Sequence, residues 1–158
     1  MDQSLVLTAD QIQALQSFFG QGLLPNTGLE RYTVMQVGGP ADYLVEINEL
    51  EFLVDSVHFL WKNQIPFLLL GGGANVLISD QGIRGLVLIN KARDISFTET
   101  PEGKPIVLAD SGASFGSVAR RTGAKGFAGL EWAAGIPGTV GGAVVGNAET
   151  HGSDVAAD

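Results

Sequence analysis

No cysteine occurs anywhere in the 158 residues. That absence excludes disulfides, thiolate nucleophiles, Cys-ligated zinc and any cysteinyl tether to a cofactor. Charge is also sparse: 16% of residues are charged, with 9 Lys+Arg against 17 Asp+Glu and a formal net charge of -8. A surface so short of cations repels phosphate backbones and anionic bilayers, so neither a nucleic-acid nor a membrane partner is expected. No run of about 18 apolar residues exists to cross a bilayer. Met1-Asp2-Gln3 lacks the basic start and apolar run of a secretory leader, so the expected location is cytoplasmic. The two histidines show no ligand spacing with Asp80, Asp110 or Asp154, and no metal site is expected.

What is present is apolar side chain and glycine. Hydrophobic residues make up 45% of the chain, enough to bury a sizeable core in one domain or slightly more. Thr8 with Gln11 three residues on reads as a capping box, and Ile12, Leu15, Phe18 and Phe19 follow at helical spacing until Gly20 and Gly22 stop them. A Gly/Pro/Asn loop is expected over 24–28, an extended run over 32–37, a turn at Gly38-Gly39-Pro40 and a short strand over 43–47. Asn48 with Glu51 predicts the start of a second helix, whose apolar face is Leu50, Leu53, Val54, Val57, Leu60 and Trp61. His58 lies off that stripe and reads as solvated. The continuous apolar runs 66–70 and 86–90 suit buried strands, so 43–70 makes a βαβ unit. Beyond Lys91 a polar hairpin region over 98–105 leads into a strand over 106–109 and a helix over 114–121. The expected lobes are 1–92 and 93–158.

Of the 22 glycines, 17 lie at or after position 71. From Gly126 to Gly152 only Glu131 and Glu149 carry charge. Glycine lets backbone approach a ligand closely and lets successive N–H groups converge on an anion. Two loops, Gly71-Gly72-Gly73-Ala74-Asn75 and Gly135-Ile136-Pro137-Gly138-Thr139-Val140-Gly141-Gly142, could hold a pyrophosphate by amides without any Lys or Arg; tight turns are the plainer reading of each alone. Gly71-x-Gly73 lacks the third glycine of the dinucleotide fingerprint, since Val76 stands there. Gly112-Ala113-Ser114-Phe115-Gly116 matches a nucleophile elbow, but Ser114 precedes an apolar-periodic segment and reads as a helix cap.

Taken together, four ordered segments resemble the UDP-N-acetylenolpyruvoylglucosamine reductase family. They are Tyr32-Thr33-Val34-Met35-Gln36-Val37-Gly38-Gly39-Pro40-Ala41-Asp42, the stretch from Leu70 to Asp80, Gly129-Leu130-Glu131-Trp132 through Gly141-Gly142-Ala143, and Asn147-Ala148-Glu149-Thr150-His151-Gly152. The resemblance implies an α+β, vanillyl-alcohol-oxidase-type FAD-binding fold, with a small parallel α/β lobe and an incomplete, mostly antiparallel lobe. It implies non-covalent FAD between the lobes, held by Gly71, Gly72, Gly73, Ala74, Asn75, Val76, Gly135, Ile136, Gly138, Thr139, Gly141, Gly142, Asn147 and Gly152.

The reaction implied is NADPH-dependent reduction of an enolpyruvyl ether on a UDP-sugar to a lactyl ether, in peptidoglycan precursor synthesis. The family's catalytic arginine sits in a Tyr-Arg-x-Ser segment, and its proton-donating serine and its glutamate lie further on. None of these is found here, so no catalytic residue is assigned, the substrate domain is expected to be absent and the piece is expected to be inactive alone. Ala74 stands where the family usually has Ser, Met35-Gln36 replaces an aromatic-basic pair, Glu149 replaces Gly and His151 replaces Tyr. A non-catalytic flavin-binding module of the same fold remains the alternative, with a sugar or alcohol oxidase of the superfamily a more distant one.

Overall fold

The computed structural model describes residues 6–150 and 152–156. They form two compact units, Met1–Asn90 and Lys91–Asp158. In the first, helix α1 (Ala9–Phe19) begins as its capping box predicts. The Thr8 hydroxyl accepts the Gln11 N–H at 3.2 Å, and the Gln11 side chain accepts the Thr8 N–H at 3.0 Å. Gly20, at φ 53, then turns the chain out of the helix.

Strands β1 (Leu24–Gly28), β2 (Pro40–Ile47), β3 (Phe67–Leu70) and β4 (Ile83–Asn90) form one sheet in the order β1-β2-β4-β3. β2, β4 and β3 are parallel, and β1 runs antiparallel to β2. Helix α2 (Leu50–Lys62) is the crossover from β2 to β3, and β4 then inserts between those two strands. Being central, β4 buries both faces. Leu86 and Leu88 join Leu15, Phe19, Leu53 and Leu60 on the helix side, while Val87 and Ile89 meet Leu29, Leu44 and Ile78 on the other. Two buried faces are why its stretch Leu86–Ile89 is unbroken apolar.

Several expectations are corrected here. Residues 24–28 are strand and not loop: Pro25 pairs with Tyr43 at a sheet edge, where a missing N–H costs no ladder bond, and Asn26 takes φ 45. Residues 32–37 are not extended; a 3-10 turn at Glu30–Tyr32 runs into a tight turn with Gln36 at φ 54. The cap of α2 is Glu49, with no side-chain hydrogen bond, and not Asn48. The buried stripe of α2 is Leu53, Ser56 and Leu60, whereas Leu50, Val54 and Trp61 are exposed. Ser56 turns the stripe because its hydroxyl donates to the Phe52 carbonyl at 2.6 Å, so a polar residue sits satisfied at a core position. His58 is exposed, as read. β3 is an edge strand with Leu68 and Leu69 exposed, and so is not wholly buried.

The second unit opens with the antiparallel hairpin β5 (Ile95–Glu99) and β6 (Pro105–Ala109). Helix α3 (Phe115–Ala124) follows, and Ser114 is its cap: the Ser114 hydroxyl accepts the Ser117 N–H at 3.3 Å. A 3-10 turn at Glu131–Gly135, a short helix α4 (Val140–Val145) and the two-residue strands β7 (Glu149–Thr150) and β8 (Ser153–Asp154) complete the unit. Phe115, Ala119, Ala133 and Ala143 form its small core, with Trp132 edge-on to Phe115 at 5.7 Å. Small residues dominate because backbone packs on backbone: a Cβ at Gly116 would lie 2.8 Å from the Ala134 carbonyl oxygen. No helix among the described residues is long and apolar enough to cross a membrane.

Candidate functional site: two glycine loops

The first loop leaves the carboxyl end of β3. Gly73 is buried at φ 60, and a Cβ there would overlap the Tyr32 carbonyl oxygen and sit 2.9 Å from Thr33 Cα. Only glycine allows that approach. The Val34 N–H donates to the Gly73 carbonyl at 3.0 Å, which ties the loop to the 30–37 turn. A second tie lies further along, where the Gly39 N–H donates to the Ser79 carbonyl at 2.9 Å. Among the described residues, the amides of Gly72, Gly73, Ala74 and Asn75 donate no hydrogen bond. The loop therefore presents successive free N–H groups with its carbonyl side clamped, which is an anion-accepting arrangement. Val34, Met35 and Leu77 are exposed and give this region an apolar rim.

The turn that clamps the loop is itself anchored. The Tyr32 hydroxyl donates to Glu46 Oε1 on β2 at 2.7 Å, and the Thr33 hydroxyl donates to the Val37 carbonyl at 2.9 Å. Partial burial, and next the Glu46 carboxylate, push the Tyr32 phenol from 10.0 up to about 12. The folded phenol thus holds its proton more tightly than the unfolded one. Its contribution to stability is complete below pH 10 and is lost as pH rises from 10 to about 12. Denaturant midpoints taken across that window should fall more steeply for the wild type than for Tyr32→Phe; parallel slopes would contradict this.

The second loop is more committed internally. Gly135 closes the 3-10 turn, and Arg120 Nη1 donates to the Ala134 carbonyl at 2.8 Å. The Val140 N–H donates to the Ala113 carbonyl at 2.9 Å and the Gly141 N–H to the Ser111 carbonyl at 2.8 Å. The Gly142 N–H donates to the Thr139 hydroxyl, which caps α4. Among the described residues, the amides of Gly138 and Thr139 are the ones in this loop that remain open, with Gly138 at φ 107. Gly141 packs closely on its neighbour: a Cβ there would lie 3.0 Å from Ser111 Cβ.

Asn147 sits at φ 43 just past α4, and its Oδ1 accepts the Ala156 N–H at 3.0 Å. Gly152, at φ 84, lies between β7 and β8. Glu149 pairs across that ribbon with Asp154. His151 lies outside the described residues. Glu131 accepts the Gly129 N–H at 2.8 Å, and hydrogen bonds from its own amide and that of Gly129 hold its carboxyl below the ordinary value. Among the described residues, no group of three or more His, Asp or Glu side chains could hold a metal ion. Sequence reasoning missed Tyr32, Glu46 and Arg120 as anchors of the loops. The lone carboxylate Glu46 inside the apolar strand run 43–47 was a usable signal.

A parallel sheet whose edge strand ends in a glycine loop of open amides suits a dinucleotide diphosphate, and the fold is of the vanillyl-alcohol-oxidase FAD-binding type. Residues 41–157 match the family described as FAD binding domain, and the chain belongs to it. It is 42% identical over 90% of its length to the UDP-N-acetylenolpyruvoylglucosamine reductase of Syntrophus aciditrophicus, covering 46% of that protein. It is 44% identical over 81% of its length to the enzyme of the same name from Rubrobacter xylanophilus, covering 42%. The crystal structure of UDP-N-acetylenolpyruvylglucosamine reductase from Thermus caldophilus superposes with a TM-score of 0.62 at 28% identity, covering 81% of this chain and 43% of that one. The chain thus spans less than half the length of these relatives. The open amides of the first loop, Gly72–Asn75, fit the diphosphate of FAD, a doubly charged group that backbone N–H donors can bind without a paired side chain.

Proposed function

We propose that the chain is the FAD-binding part of a cytoplasmic, NADPH-dependent reductase that converts UDP-N-acetylenolpyruvoylglucosamine to UDP-N-acetylmuramate for peptidoglycan. The observation that carries this reading is the run of open amides at Gly72–Asn75, clamped from behind by Gly73 on the Tyr32–Thr33 backbone. In this reading the two glycine loops, Gly71–Val76 and Gly135–Gly142, contribute to holding the pyrophosphate, with Asn147 and Gly152 close to the cofactor. When bound, FAD supplies the hydride carrier between NADPH and the enolpyruvyl group. The residues of this chain bind it, fix its diphosphate and limit water at the loop through Val34, Met35 and Leu77. The UDP-sugar would be a partner of the full-length protein.

The 158 residues contain no Tyr-Arg-x-Ser segment. The reading therefore has them hold FAD without completing turnover: FAD-loaded protein should consume NADPH no faster with the enolpyruvyl substrate than without it. Substrate-dependent turnover would place the chemistry within these residues. Binding should also be non-covalent, as the chain has no cysteine and neither His58 nor His151 stands beside the first glycine loop in the sequence. After acid denaturation and filtration the yellow colour should pass the membrane; colour retained with the polypeptide would overturn this.

A further inference from the structure

We infer that Tyr32 and Glu46 are positioning residues for the first glycine loop: their hydrogen bond sets the height of the backbone on which Gly73 rests, and so the placement of the amides that receive the FAD diphosphate. The inference rests on the cofactor reading above and adds two residues that lie outside the glycine loop itself.

The stretch Gly71–Ala74 has no side-chain anchor of its own, although Val76 beyond it packs on the core. Gly71, Gly72 and Gly73 carry none, and Ala74 has only a methyl group. Its position comes from the 30–37 turn, through the Val34 N–H to the Gly73 carbonyl at 3.0 Å and through the close approach of Gly73 to the Tyr32 carbonyl and Thr33 Cα. That turn is not in the sheet, and its internal bonds shape it without locating it: Tyr32 N–H to the Leu29 carbonyl at 2.9 Å, and Gln36 N–H to the Thr33 carbonyl at 3.1 Å. The side chain that fixes it to the sheet by a hydrogen bond is Tyr32, which packs against the buried cluster on that side of the sheet and whose hydroxyl reaches Glu46 at 2.7 Å. Tyr32 thus connects at both ends, by hydroxyl to β2 and by carbonyl to Gly73. A bond to a carboxylate is short and strongly directional, so it resists sliding of the ring where apolar packing alone would permit it. The raised phenol value keeps the donor proton in place throughout the neutral and mildly alkaline range.

The test uses the 158-residue chain and FAD, with dissociation constants measured at a temperature where every variant is shown to be folded. Tyr32→Phe keeps the ring and removes the donor; Glu46→Leu removes the acceptor; Glu46→Gln keeps an acceptor oxygen. Tyr32→Phe and Glu46→Leu should each weaken FAD binding about tenfold, which is about 1.4 kcal/mol, and Glu46→Gln should stay within about twofold of wild type. Ile65→Val, which trims the core away from the loop, is the control for plain destabilisation. It should lower the thermal midpoint and leave the FAD constant unchanged. Wild-type chain that takes up no FAD overturns the cofactor reading and this inference with it. Wild-type binding matched by Tyr32→Phe, or an equal loss in Ile65→Val, overturns this inference alone.

Discussion

Gly73→Ala is expected to weaken FAD binding by at least about 100-fold while leaving the chain folded, a loss of about 2.7 kcal/mol. Two costs combine. Gly73 sits at φ 60, where an L side chain costs roughly 1–2 kcal/mol. The added Cβ would also overlap the Tyr32 carbonyl oxygen, which is backbone and cannot rotate aside. Relief requires the loop to lift away from the 30–37 turn, breaking the Val34–Gly73 hydrogen bond and dispersing the amides of Gly72–Asn75. Gly20→Ala separates these costs, because Gly20 has φ 53 but nothing near its virtual Cβ. That variant should lose stability and keep its FAD affinity. Arg121→Ala and Lys125→Ala should change affinity less than twofold, since both cations lie over the Phe97 ring and not at either loop. Titration of apo protein with FAD, read by flavin fluorescence, checks all four. Wild-type affinity in Gly73→Ala with a large loss in the cation variants would show that charge, and not backbone amide, holds the cofactor.

What could be read from the sequence divides by the range of the interaction that decides it. α1 was legible because its start is set within four residues, by Thr8 and Gln11. β4 was legible because its middle, Leu86–Ile89, is buried on both faces and is apolar at every position. Ser114 was legible as a cap for the same local reason as Thr8. β1 was not: Pro25 and Asn26 argue locally for a loop, and pairing with β2, some twenty residues away, decides otherwise. The 30–37 turn was missed because Val34 and Val37 suggest extension, while the Thr33 hydroxyl and the left-handed Gln36 close it. The face of α2 was misread by counting only apolar side chains, which passes over Ser56. At the site, glycine spacing marked both loops as places where backbone approaches something. It did not tell that the approach at Gly73 is to Tyr32, or that the Val140, Gly141 and Gly142 amides are consumed by Ala113, Ser111 and Thr139. The Gly142–Thr139 cap is local, but the approach of Gly73 to Tyr32 and the bonds to Ala113 and Ser111 are long-range pairings, which no residue in the loops encodes alone.

Leu88→Ala is expected to have the largest effect on stability. Leu88 is fully buried in the central strand and packs with Leu15, Val45, Leu53 and Leu60 on the helix side of the sheet. Truncation of such a side chain costs about 2–5 kcal/mol, because close-packed neighbours collapse only partly into the space left behind. A unit of this size has a total stability of about 5–13 kcal/mol, and each kcal/mol moves its midpoint by roughly 4–8 °C. A fall of at least about 8 °C is therefore expected. Leu69→Ala is the matched comparison, with the same chemistry on the neighbouring strand but a 45% exposed side chain on the sheet edge. It should cost under about 1 kcal/mol, since little area is withdrawn from water there. Because β3 and β4 are parallel neighbours and Leu69 faces Leu88 in the register, the two variants probe the same rung of the ladder from its centre and from its rim. Calorimetric midpoints that fall equally for both would mean that β3 is covered in solution and that the sheet does not end at that strand.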